Sequence, residues 1–195
     1  MADKPECTIT TQGSIGTNAL SSAMQSAFES ALREETKLPD PIFLVDGFSG
    51  RKFRMFLNNL FSLIDNPRYL EVGVFNGGSF IPAVYGNMMT ATALDNWAWE
   101  GSDINRFKAY LQEFGESATV TVINKDFREV DYSLMGPFNV LFYDGSHAEK
   151  DQLDGVRLPA PAMDDQYIAI VDDWNFDRVR KGTFDGFDQA QCRID

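Results

Sequence analysis

Two short stretches carry most of the residues that can do chemistry. In FYDGSHAEKD (142–151) Asp144 and His147 stand three residues apart, and IVDDW (170–174) sets Asp172 beside Asp173. Both acid groups follow apolar runs that read as strands. Neighbouring strands of a sheet lie about 4.8 Å apart, so these three carboxylates can converge on one point. Converging carboxylates repel unless something positive sits among them. A hard divalent cation such as Mg²⁺ takes oxygen ligands and keeps positions for water or substrate oxygens. Held by Asp144, Asp172 and Asp173, it would bind a substrate hydroxyl, lower its pKa and orient it. His147 is the only histidine of the chain. A lone histidine is most often a surface or cap residue, but an imidazole in a loop leaving a strand end is suited to take that hydroxyl's proton. His147 and Asp144 are therefore the expected catalytic pair.

A third stretch, YLEVGVFNGGSF (69–80), runs from a strand into three glycines and a serine. Glycines after a strand mark a tight bend or a close approach of a ligand to the backbone. A phosphate-gripping loop needs G-x-x-x-x-G-K-[ST]. Gly73 to Gly78 has the spacing, but Ser79-Phe80 stands where Lys-Ser is required. The dinucleotide pattern G-x-G-x-x-G fails because Phe75 takes the place of its second glycine. What remains is E-x-G-x-x-x-G-G, followed by Asp95 at the end of the next strand, where an acid commonly holds ribose hydroxyls. Glu71 and this loop then face a cationic ligand, and S-adenosylmethionine has the required sulfonium, amino group, ribose and adenine. A plain strand-to-helix turn would use Gly77-Gly78 as well.

The elements that must position these residues follow from periodicity. Leu20, Met24, Phe28 and Leu32 form one apolar stripe of a helix. After LPDP, IFLV reads as a short strand and DGFSG as a turn. Phe53, Phe56, Leu57, Leu60, Phe61 and Ile64 then follow a helical period that Asn66-Pro67 ends. Beyond it, RYLEVGV, TATALDNW, TVTVINKD, FNVLFYDGS and YIAIVDDW read as five strands separated by helical segments, the pattern of a parallel sheet with helices on both faces. Ligands of such sheets bind beyond the carboxyl ends of the strands. Glu71, Asp95, Asp126, Asp144 and Asp172-Asp173 put an acid at every one of those ends. The expected organisation is a flexible N-terminal arm over 1–16 and a single domain over 17–195, with N-terminal helices over 17–66 and the core sheet over 67–195.

The net charge of −12 repels a phosphate backbone and argues against a nucleic-acid partner. No apolar run approaches the roughly 20 residues that span a bilayer, and MADKPECTITTQGSIG lacks the apolar core of a secretory signal. A cytoplasmic protein without a membrane partner is the expectation. Cys7 and Cys192 lie near opposite ends and form neither a metal motif nor a disulfide framework.

YLEVGVFNGGSF together with ALDNW resembles the first two motifs of class I S-adenosylmethionine-dependent methyltransferases, and the added DGSH and VDDW resemble their metal-dependent branch that modifies sugar hydroxyls. The resemblance runs over roughly residues 42–185, with DGFSGRKFRMFLNNL similar to a segment that packs near the cofactor. It implies a Rossmann-like α/β three-layer sandwich with a mostly parallel sheet. By resemblance Gly73, Gly77 and Gly78 line the methionine moiety, Asp95 holds the ribose, and Asp126 and Phe127 meet the adenine. Glu71, Asn76, Ser79, Asn96 and Trp97, from the same two loops, complete the implied cofactor set; Trp97 serves equally well as a packing residue. The resemblance further implies Mg²⁺ on the aspartates, His147 as base, and a small-molecule hydroxyl acceptor such as a sugar.

Members of that family continue past the fifth strand with a helix and an antiparallel hairpin. Here NFDRVRKGTFDGFDQAQCRID supplies a helix, and strands 6 and 7 are expected to be missing, as in a truncated gene product. One sheet edge would then be open, and a homodimer would cover it. Two other functions fit the same residues: a fragment that binds the cofactor without turnover, and a metal-dependent hydroxylase or hydrolase with no sulfonium donor.

Overall fold

The structure is a computed structural model that describes Gly16 and residues 18–194. The expected N-terminal arm, apart from Gly16, lies outside the described residues, as does Cys7. Helix α1 (Ala19–Leu32) opens with a capping box in which Asn18 accepts from the backbone N–H of Ser21 at 2.9 Å. Its buried line is Ala23, Ala27 and Ala31, with Leu20, Met24 and Phe28 packed partly against the core and Leu32 exposed. The anticipated large-residue stripe is thus rotated: small side chains let α1 approach α2 (Arg51–Leu63), and Phe28 stacks on Phe56 with centroids 3.9 Å apart.

The segment IFLV is not a strand. Asp40–Leu44 forms a 3₁₀ turn, because Pro39 and Pro41 fix φ and remove the N–H groups a ladder would need. Only Ile42 of that turn is buried.

Five strands follow: β1 (Arg68–Val72), β2 (Met89–Asp95), β3 (Ala118–Asn124), β4 (Phe138–Tyr143) and β5 (Met163–Val171). All pairings are parallel, in the order β3-β2-β1-β4-β5. β4 is buried along its whole length, whereas β3, at an edge, alternates between partly buried and exposed positions. Helices α3 (Phe80–Val84), α4 (Ile104–Phe114), α5 (Glu149–Arg157) and α6 (Asp177–Gln189) complete the described elements. One core layer joins α1 and α2 to one face of the sheet; a second, around Leu70, Val72, Leu141 and Tyr143, covers the other. The result is the Rossmann-like α/β sandwich expected from the sequence. Among the described residues the sheet has five strands, and no helix is long and apolar enough to cross a membrane.

The chain reverses its direction of winding beside β1, since β2 lies on one side of it and β4 on the other. A crevice opens at such a reversal. The ladder continues one residue past the strands there: Gly73 N–H donates to Leu94 O at 2.9 Å, Asp144 N–H to Val72 O at 2.8 Å and Asp172 N–H to Tyr143 O at 3.2 Å. Backbone bonds therefore fix the height of each loop residue that bears on the site.

Candidate active site

A cavity of about 430 Å³ occupies this crevice. Of the residues singled out in the sequence, Gly73, Asp95, Asn96, Asp126, Phe127, Asp144 and His147 line it. The glycine-loop end and the acid end thus share one space. Gly73 is what lets them meet: its φ is +92°, and a Cβ there would lie 2.1 Å from the carbonyl oxygen of Asp144.

The rest of the glycine loop is built into the frame. Glu71 lies within β1, on the same face as Tyr69, and is completely buried. It accepts from the Ser79 and Tyr69 hydroxyls. Burial pushes its pKa up to about 8, the two hydroxyls oppose that shift, and the charges of Asp144 and Asp95 add to it. Glu71 therefore does not line the cavity as a counter-charge, which corrects the expectation drawn from its place in the motif. Asn76 is equally buried: its amide donates to Asp46 at 2.9 Å and to Gly101 O at 3.0 Å, and its oxygen accepts from Asp103 N–H at 2.7 Å. Gly77 packs beside Ile81 and Phe107, and a Cβ on Gly78 would lie 2.7 Å from Gly47 Cα. Trp97 donates its indole N–H to Phe75 O at 2.7 Å and packs on Phe107. Glu71, Asn76, Gly77, Gly78, Ser79 and Trp97 shape the loop rather than line the cavity.

Asp95 ties the two loops together, with one oxygen accepting from Phe75 N–H at 2.8 Å and the other from Trp97 N–H at 2.7 Å. Both donors sit on left-handed backbone, φ 52° and 48°. A carboxylate oxygen accepts more than one bond, so capacity for a ligand remains.

A further loop, 45–50, closes over Gly78. Arg54, only 4% exposed, donates to the carbonyls of Ile42, Val45 and Ser49 at 3.1, 2.8 and 3.0 Å, and Ser49 Oγ donates to Gly78 O at 2.7 Å. The loop carries Phe48, 88% exposed, to the cavity wall beside Phe75, with ring centroids 5.2 Å apart. Phe48, Phe75 and Lys125 line the cavity without having been singled out as site residues, and Trp99 lines it with them. The turn DGFSG was readable; the exposure of its phenylalanine is a tertiary fact that leaves no local signal.

At the acid end, ligand atoms of Asp144, His147 and Asp172 lie within 4.8 Å of one another. His147 Nε2 is 3.6 Å from Asp144 Oδ1 and is buried without a hydrogen-bond partner. Burial pushes the Asp144 carboxyl up to about 7, with the charge of Asp172 adding and His147 opposing. Asp144 raises the His147 pKa most, burial opposes it, and the charges of Asp173 and Asp172 reinforce it. The crowded carboxylates are the setting a divalent cation would complete, and Asp144 and Asp172 would hold it. Asp173 stands apart from the grouping expected of it: its backbone is left-handed, φ 53°, and its Oδ2 is 2.8 Å from His147 Nδ1.

Residues 70–174 match the family described as a methyltransferase domain, and the chain belongs to that family. Its fold is that of the class I S-adenosylmethionine-dependent methyltransferases. It is similar to the S-adenosylhomocysteine-bound structure of a methyltransferase from Podospora anserina, at 16% identity and a TM-score of 0.52 over 87% of this chain and 76% of that one. It is also similar to an O-methyltransferase of Streptomyces achromogenes involved in tomaymycin synthesis, solved with S-adenosylmethionine, at 20% identity and a TM-score of 0.51 over 89% and 79% of the two chains. A precorrin-8W decarboxylase of Methanobacterium thermoautotrophicum is similar at 20% identity and a TM-score of 0.50, over 69% and 70%. No curated protein sequence matches the chain.

Proposed function

We propose that the chain transfers the methyl group of S-adenosylmethionine to a hydroxyl of a small molecule, with a sugar among the candidate acceptors. The observation that carries this reading is the single cavity in which Gly73, Asp95 and Asp126 share a wall with Asp144 and His147. Its volume, about 430 Å³, is of the size that takes a small-molecule ligand. The structural relatives that hold this cofactor or its product support the donor, and the tomaymycin enzyme supports oxygen as the methylated atom.

S-adenosylmethionine would supply an electrophilic methyl on a sulfonium, and a divalent cation such as Mg²⁺ would lower the pKa of the acceptor hydroxyl. Asp95 would hold the ribose hydroxyls and Phe127 would contact the adenine. Asp144 and Asp172 are the carboxylates that would hold the cation. His147 Nε2 would take up the acceptor's hydroxyl proton. Phe48 and Phe75, on the cavity wall, would shield the donor from water. The reaction needs alignment and a deprotonated acceptor, so most of the rate would come from positioning.

Calorimetric titration of S-adenosylhomocysteine into the protein, first with Mg²⁺ and then with chelator, tests the donor. Micromolar binding is expected, and its absence in both conditions overturns the reading. Mass-spectrometric screening of hydroxylated acceptors then separates an enzyme from a protein that only binds the cofactor.

A further inference from the structure

Arg128 lines the cavity but takes no part in holding the cation or moving the proton. It encloses the carboxylate of Asp126, also on the cavity wall: its backbone N–H and Nε both donate to Asp126 Oδ1 at 2.9 Å, and Nη2 donates to Oδ2 at 2.8 Å. The other arm of the guanidinium crosses to the first turn of α5, where Nη1 donates to Asp151 Oδ1 at 2.9 Å. The guanidinium also lies 5.3 Å from the centroid of the Phe127 ring. The side-chain bond from Arg128 is the largest cause holding the Asp126 carboxyl below its ordinary range, with burial opposing it. Near neutral pH Asp126 is therefore ionised and accepts without donating. A carboxylate offers about four acceptor positions. Arg128 takes two on Oδ1 and one on Oδ2, and among the described residues no other donor reaches them. One position is left, on Oδ2.

We propose that Arg128 is a positioning residue for base recognition: it holds the Asp126 carboxylate in one orientation with a single open acceptor, which takes an exocyclic amino N–H of a purine and excludes a 6-oxo purine. A side-on arginine–carboxylate pair adds geometric specificity to its energy. A 6-oxo purine presents an acceptor where adenine presents its amino group, and two acceptors set against each other leave both unpaired. Its nearest donor is the N–H of the neighbouring ring nitrogen, which the carboxylate reaches only by turning. The grip of Arg128 on both oxygens opposes that turn. The inference rests on S-adenosylmethionine as the donor, with its base beside Asp126 and Phe127.

Calorimetric titration of S-adenosylhomocysteine and of its 6-oxo analogue, S-inosylhomocysteine, reads this selectivity directly. The unaltered protein should prefer the adenosyl ligand at least about tenfold, the worth of one hydrogen bond to a charged group. Arg128→Ala frees the carboxylate to turn, so the preference should fall below about threefold. The Arg128 side chain is half-exposed, and the variant should keep its fold. Asp151→Asn, which leaves the bonds to Asp126 in place, should keep the preference. A purely structural role for Arg128 would weaken both ligands equally, and an unchanged ratio in Arg128→Ala overturns the proposal. So does an unaltered protein that binds the two ligands alike. Loss of the preference in Asp151→Asn as complete as in Arg128→Ala places the effect in the anchor on α5 instead of the grip on Asp126, and overturns it too. Failure of S-adenosylhomocysteine to bind at all overturns the reading of the donor and the inference with it, whereas binding with a ratio indifferent to Arg128 overturns the inference alone.

Discussion

The two ends of the cavity are built on opposite principles. At the glycine-loop end the polar groups are satisfied: Arg54 is surrounded by carbonyls, Asn76 brackets three segments, and Asp95 accepts from two backbone N–H groups. At the acid end, partly exposed carboxylates crowd one another around an imidazole nitrogen with no partner. The first end is finished by folding; the second is finished only by what binds there. Substitutions at the glycine-loop end should therefore register as lost stability, and those at the acid end as lost chemistry with little or no loss of stability.

The largest break of this contrast is expected at Gly73. Gly73→Ala combines a positive φ with a Cβ 2.1 Å from Asp144 O, so both the backbone and its neighbour must move. A loss on the order of 4 kcal/mol is expected, read as a fall in the denaturant midpoint, together with loss of S-adenosylhomocysteine binding. Unchanged stability would show that the two strand ends do not need their close approach. Next in size is Arg54→Met, which keeps volume but removes the donors that hold loop 45–50. Stranded carbonyls should cost roughly 2–3 kcal/mol. Arg54→Lys should recover little, since one ammonium cannot reproduce the guanidinium fork.

Glu71 sharpens the comparison through pH. Its folded pKa is raised to about 8 from an ordinary value of 4.5, so the folded state binds the extra proton between those values. Its stability contribution is complete below the unfolded pKa and is lost as pH rises toward 8, by up to about 1.4 kcal/mol per pH unit. Glu71→Gln should flatten that part of the stability profile while leaving the rest of the curve in place. A profile of equal slope in both proteins would remove Glu71 as its source.

The legibility of the two ends in sequence was unequal for the same physical reason. The five strands and the acids near their carboxyl ends follow from periodicity, and the convergence of Asp144 with Asp172 follows from strand spacing. Glu71 was misplaced because a motif records that an acid stands in a strand but not which face it points to; only the alternation with Leu70 and Val72 decides that. IFLV reads as a strand by composition, and its prolines overrule composition. Leu20, Met24, Phe28 and Leu32 outweigh alanine in any hydrophobic count, yet Ala23, Ala27 and Ala31 win the interface because helix approach favours small side chains. The 2.8 Å approach of Asp173 Oδ2 to His147 Nδ1 is likewise a tertiary fact, and nothing local in DDW announces it.

The smallest effects on stability should come from residues closest to the chemistry. Asp172→Asn removes one of two carboxylates sharing a point, so the protein should gain up to about 1 kcal/mol while cation-dependent turnover disappears and cofactor binding stays nearly intact. Cation-independent turnover in that variant would sink the cation assignment. Phe48→Ala should leave the denaturant midpoint unchanged within about 0.5 kcal/mol, because an 88% exposed ring has little burial to lose. If the ring covers bound S-adenosylhomocysteine, the same substitution should weaken that ligand about tenfold, as burying an aromatic ring contributes on the order of 1–2 kcal/mol. A weakened ligand with unaltered stability would mark Phe48 as the one part of the glycine-loop end that, like the acid end, is completed by binding. An unaltered ligand would confine that property to Asp144, His147, Asp172 and Asp173.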